Sequence, residues 1–188
     1  MVTIFGMSMW LTLAKVSPET LRAIQERPQL MDGMFFENDE DGQADPVPAD
    51  FDPDADVLGT DYRTLTMIAE GLAEHLGSPA SFEEQDTWLS KAAHGLGDLL
   101  DYDFCYGPAF VLTPAQVAEI ALGLAEEEDA VQAAGGADAA DPDDEADPDQ
   151  EIIAQAAADL DDEDDDEDLG VFYAAAAREG KGMVGGVS

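Results

Sequence analysis

Two stretches of this chain carry carboxylates with nothing inside them to neutralise the charge. Residues 36–61 hold 10 Asp and Glu and residues 126–168 hold 21, and neither stretch contains a Lys or Arg. Such segments repel themselves and have little apolar surface with which to offset the entropy of ordering. The folded body is therefore expected from the other 119 residues, which carry 13 acids against 7 bases, an ordinary balance. The formal charge of −37 over 188 residues belongs to the two stretches rather than to the body.

That distribution narrows the function classes. A surface adapted to high salt spreads its carboxylates evenly; here they are bunched, and only the low count of three lysines favours that explanation. Dense negative charge repels phosphate backbones, which argues against direct nucleic-acid binding. It disfavours anionic membrane surfaces for the same reason. A basic protein partner or divalent cations fit it. The single cysteine, Cys105, forbids an intrachain disulfide and fits a reducing compartment. The apolar run from Val2 to Ala14 has no basic flank and no small-residue cleavage site, so it reads as a strand and not as a signal peptide. No apolar stretch approaches the length of a membrane span. A cytoplasmic location is the expectation.

Hydrophobic residues make up 45% of the chain, enough for one core. The opening VTIFGMSMWLTLAKV is rich in β-branched and aromatic residues and predicts a strand. Ser17-Pro18-Glu19 then starts a helix: a capping Ser, a Pro at the first helical position and an acid in the first turn, with Leu21 and Ile24 facing inward. Pro28 ends it, and a short apolar patch from Leu30 to Phe36 follows. Residues 37–57, with Pro46, Pro48 and Pro53 among their acids, read as an acidic loop insertion. Helical spacing returns from Leu65 to Leu76, and again from Glu84 to Leu100 through Trp88, Ala92, Leu96, Leu99 and Leu100.

Phe104 to Leu112 reads as extended, interrupted at Gly107-Pro108. Thr113-Pro114-Ala115-Gln116 has the form of a capping box, opening a helix that buries Val117, Ile120 and Leu124. Residues 129–149 read as an acidic disordered insertion, and Ile152 to Leu160 as a short Ala-rich helix. The acids of Asp161 to Asp168 lead into a last helix with Leu169, Phe172 and Ala176 on its apolar face, ending near Gly180. Met183 to Val187 closes the chain as a strand.

No motif carries recognisable chemistry. Asp52, Asp54 and Asp56 echo the first ligands of a calcium loop, but Val57 stands where the sharp turn needs Gly and Arg63 where a bidentate Glu belongs. His75 and His94 sit on separate predicted helices without metal-ligand spacing. Cys105, between Phe104 and Tyr106, has only a histidine as a conceivable base and reads as a buried thiol. Neither a phosphate-binding glycine pattern nor a nucleophile elbow is present. No catalytic residue, metal site or cofactor is assigned. A ligand pocket, if the chain has one, is expected near His94, Asp98, Asp101 and Tyr106.

Four segments in order, GMSMWLTLAKVSPETL, SKAAHGLGDLL, YGPAFVLTPAQVAEIA and LGVFYAAAAREGKGMV, resemble the YfbM-like family of bacterial proteins, a domain of unknown function. The family's central helix typically carries a Trp-His pair and a second His one turn later. His94 matches the first His, while Ala93 replaces the Trp and Gly97 the second His. The resemblance implies a compact α+β fold over residues 1–188, no established activity, and a start in which Met1 to Phe5 is either a lineage extension or the product of a misplaced start codon. Together these readings predict one domain with a small sheet that includes the N-terminal and C-terminal strands, covered by about five helices. They favour a non-enzymatic interaction protein that neutralises a basic partner. A small-ligand binder or enzyme built around His94 is one alternative, and a body whose acidic segments serve only solubility is the other. Oligomeric state is left open.

Overall fold

The computed structural model describes residues 9–36, 48–75, 87–96, 98–135 and 168–188. Five antiparallel strands form one open sheet: β1 (Trp10–Val16), β2 (Val57–Asp61), β3 (Leu99–Phe104), β4 (Gly107–Leu112) and β5 (Gly182–Val187), in the order β2-β1-β5-β4-β3. Seven helices are described: α1 (Pro18–Glu26), α2 (Leu30–Phe35), α3 (Pro53–Asp56), α4 (Tyr62–His75), α5 (Trp88–His94), α6 (Pro114–Gly135) and α7 (Leu169–Glu179). The fold is α+β with the N-terminal and C-terminal strands paired at its centre, as the sequence predicts, and with more helices than the five expected. None of the described helices is long and apolar enough to cross a membrane.

Strand periodicity explains why helices cover both faces. In β1, Leu11 and Leu13 join the cluster built with α4, α5, α6 and α7, while Ala14 and Val16 join the cluster under α1 and α2. The same alternation places Phe110 and Leu112 on the first face and Ala109 and Val111 on the second. Both faces of the central strands are apolar, so each needs its own cover.

β5 lies between β1 and β4 and is buried from Gly182 to Gly186. Its glycines make room for neighbours rather than for unusual backbone. A Cβ on Gly182 would stand 2.7 Å from Leu21, one on Gly185 2.5 Å from Leu13, and one on Gly186 2.6 Å from the Phe104 ring. Large side chains from adjacent elements fill the space a β-branched strand would otherwise occupy.

Helix ends follow their local signals. The Ser17 hydroxyl accepts from Thr20 N at 3.2 Å. Thr113 and Gln116 close a capping box, with Thr113 N donating to Gln116 Oε1 at 2.7 Å. Asp168 Oδ1 accepts from Gly170 N at 2.7 Å to cap α7. Gly180, at φ 65, ends that helix, and Lys181 N donates back to Ala176 O at 3.0 Å.

Three readings are corrected. The helix expected to reach Leu100 stops at His94, because Gly95 at φ 75 turns the chain and the Phe110 ring would stand 2.7 Å from any Cβ there. Leu99 and Leu100 then enter β3, whose pairing with β4 outweighs their helical spacing. The loop expected over 37–57 is in its described part a turn followed by α3 and the first residue of β2, with Asp56 buried. The segment expected to be disordered from 129 is helical as far as Gly135. Strand β2 and helix α2 carry no clear sequence signal of their own. The helix expected at Ile152–Leu160 and the Met1–Phe5 extension lie outside the described residues.

Because Gly186 faces the Phe104 ring, Gly186→Val is expected to destabilise the protein by about 1–3 kcal/mol through overpacking. Urea unfolding measures it, and adding Phe104→Leu should restore part of the loss, since the two sites share one volume.

Candidate functional site

The residues singled out in the sequence do not meet in one cleft. His94 ends α5, and its Nδ1 lies 3.0 Å from Ser90 O. A carbonyl only accepts, so Nδ1 carries the proton and Nε2 is the acceptor in the neutral ring. The Tyr62 hydroxyl donates to that Nε2 at 2.6 Å, and the two rings meet edge to face at 5.7 Å. The imidazole thus ties α5 to α4. Asp98 is exposed, and its Oδ2 accepts from Gln116 Nε2 at 2.9 Å. Asp101 is exposed on β3, and Tyr106 is exposed in the β3–β4 turn. Leu99 pairs with Phe110 and Phe104 with Gly107, so Asp98 and Tyr106 stand at opposite ends of the hairpin. The strand between them spans about 20 Å.

Cys105 is exposed, not buried as the sequence reading had it. It sits where the hairpin reverses, at φ 47, under a tight turn in which Tyr106 N donates to Phe104 O at 2.6 Å. A reversal at the sheet's end leaves no layer to cover the thiol.

The calcium-like aspartates serve other ends. Asp52 Oδ1 accepts from Asp54 N at 3.1 Å and caps α3. Asp56 accepts from Asp52 N at 3.0 Å through Oδ2 and meets Lys181 Nζ at 2.6 Å and Lys15 Nζ at 3.8 Å through Oδ1. Glu179 completes the cluster, 3.4 Å from Lys15 and 3.1 Å from Lys181. Two cations and two anions from β1, α3 and the α7–β5 junction are thereby balanced. Lys15 also lies 5.6 Å from the centroid of the Phe172 ring.

Sequence reasoning missed this cluster, although one signal was present. Lys15 continues the Leu11–Leu13 alternation, and a lysine at a core-facing position requires a buried acid. Hydrogen bonding to Lys181, reinforced by the charge of Lys15, holds the Glu179 carboxyl below its usual range. Burial works against the charge on Lys181, but Asp56 and Glu179 outweigh it and raise the ammonium above its ordinary value.

The third lysine is also engaged. Lys91 Nζ lies 3.8 Å over the Trp88 ring, and that ring lies against α6 so closely that a Cβ on Gly123 would be 2.0 Å from it. From α6, Glu127 accepts from Trp88 N at 2.6 Å and Leu89 N at 3.1 Å, closing the start of α5. Burial outweighs these hydrogen bonds and raises the Glu127 carboxyl above the normal range. The long acidic stretch therefore begins inside the fold.

Every lysine of the chain is turned to internal contacts, while Glu19, Glu26, Asp98, Asp101, Asp103, Glu119 and Glu126 are exposed. No Lys or Arg occurs from residue 92 to residue 177. What the surface offers chemically is an anionic face.

Residues 7–185 match the model of a family described as a domain of unknown function, DUF1877. Among solved structures, the chain is similar to a protein of unknown function, YfbM, from Escherichia coli. The two share 14% identity and a TM-score of 0.50, with 97% of this chain and 100% of that chain covered. At that identity the likeness concerns the fold alone. No curated protein matches the chain.

Asp56→Ala leaves Lys15 without its buried acid and is expected to cost about 3 kcal/mol in chemical denaturation. The pH dependence has a definite sign. Glu179, lowered from 4.5, contributes stability above that pH that is lost as pH falls through its folded value. Lys181, raised from 10.5, contributes stability below that pH that is lost as pH rises through its folded value. The stability gap between the wild type and Lys181→Met should be widest between these limits and narrow on both sides, as read by thermal unfolding across pH.

Proposed function

The chain belongs to the DUF1877 family, a domain of unknown function, and from that premise we propose that it is a non-enzymatic, cytoplasmic interaction protein that binds and neutralises a basic protein partner. One observation carries the reading: the folded body commits all three lysines to internal contacts and leaves most of its carboxylates in solvent, where they outnumber the exposed Arg22, Arg27, Arg63 and Arg178. The outward field is negative, as is the field of the long acidic stretch. Such a field raises the encounter rate with a cationic partner and repels nucleic acid and anionic lipid.

A pocket around His94 has weaker support. Both ring nitrogens already bond to Ser90 and Tyr62, and Tyr106 stands at the far end of the hairpin from Asp98. The solubility reading makes no demand on a partner, so a binding experiment separates it.

Deleting residues 126–168 would remove Glu127 from the start of α5 and confuse charge with folding. The informative variant keeps the chain length and replaces the 16 carboxylates of residues 138–167 with amides. The whole chain, used as bait in native lysate at physiological salt, is expected to retain proteins of basic pI that elute as salt rises. The amide variant should retain markedly less. Retention of the same proteins by both baits, or of proteins without basic character, sinks the charge-driven reading.

A further inference from the structure

We propose that β3 is the docking edge for the basic partner, which adds to the sheet as an extended strand bearing Lys or Arg at alternate positions. The proposal rests on the interaction reading above and specifies its site and the form of its ligand. β3 ends the strand order, so among the described residues its outer side has no ladder partner. Its other contacts hold it in place. Leu100 and Phe104 are buried in the cluster under α1 and α2, and the Tyr102 hydroxyl donates to Asp32 of α2.

Backbone direction follows from one hydrogen bond. Val111 N donates to Asp98 O at 2.9 Å, which makes Asp98–Val111 a hydrogen-bonded pair. The next pair, Leu99–Phe110, is then non-hydrogen-bonded, and the Leu99 N–H and C=O point to the open edge. Leu99, Asp101 and Asp103 alternate with the buried residues and share one exposed face, Leu99 being 58% exposed. The two carboxylates stand about 7 Å apart, the spacing of alternate residues in a facing strand. Tyr106, 47% exposed at the turn, extends the strip with a ring for a cation further along.

The same features reject a second copy of this chain. Two copies of this edge would set their aspartates against one another, and like charges on facing strands repel. A strand bearing cations meets complementary charge instead. The opposite edge, β2, offers less, because Asp61 already accepts from Arg63 N at 2.8 Å and Thr64 N at 3.0 Å.

A short peptide of alternating Lys and Thr, titrated into the whole chain at low salt, tests this. A companion peptide N-methylated at alternate residues keeps the charge but cannot form the ladder. Expected are slowed amide exchange at Leu99, Asp101 and Asp103, affinity about fivefold lower for Asp101→Asn with Asp103→Asn, and more than about tenfold lower for the methylated peptide. Both aspartates are exposed, so the variant is expected to fold; the methylated peptide needs no variant at all. Equal binding of the two peptides, protection elsewhere, or no binding of either overturns the β3 site. If the peptides bind equally and the amide variant of residues 138–167 loses both, the interaction reading stands without this edge. If neither peptide nor any basic lysate protein binds, both fall.

Discussion

The sheet holds together through its last strand. β1 pairs with β2, and β4 with β3, but these two halves meet only across β5. Until residues 182–187 arrive, neither face can be completed, and the clusters above and below the sheet have no shared floor. A fold that waits for its C-terminal strand pays loop-closure entropy before the long-range contacts form, which predicts slow folding. The same topology explains the glycines of β5. A strand buried on both faces and flanked by Leu13, Leu21 and Phe104 has no volume left for side chains at 182, 185 and 186.

The acidic stretches are compatible with this fold because of the elements they join. α6 and α7 pack against one another, so the stretch between them joins two helices of one core, and closure entropy rises slowly with length. At the other insertion, α3 is pinned by the Asp56–Lys15–Lys181 contacts directly before β2 begins. In a chain of net charge −37, placing two of three lysines at the junction of β1, α3 and β5 spends cations where burial makes them count most. The price is a surface with little positive charge, and that surface is the property on which the functional reading rests.

Much of the architecture was legible because its signals are local. The Ser17-Pro18 start, the Thr113–Gln116 box and the Gly180 stop each satisfy or end a helix through neighbours a few residues away, and all three appear in the structure. The α5–β3 boundary was misread because Leu99 and Leu100 fit a helical stripe equally well; pairing with β4 and the Phe110 ring over Gly95 decide it. His94 was legible as a residue of interest but not as the partner of Tyr62, which lies on another helix.

Composition, periodicity and capping act over short distances, so an α+β body and bunched charge could be read from the residues in order, and the order of four segments carried the family resemblance. Burial of Lys15 against Asp56, the service of Glu127 to α5, the exposure of Cys105 and the place of Asp101 and Asp103 on a strand that has no outer partner among the described residues are tertiary outcomes. Each of these depends on which residues become neighbours when β5 closes the sheet, and the electrostatics of a buried or exposed charge follow from that neighbourhood alone.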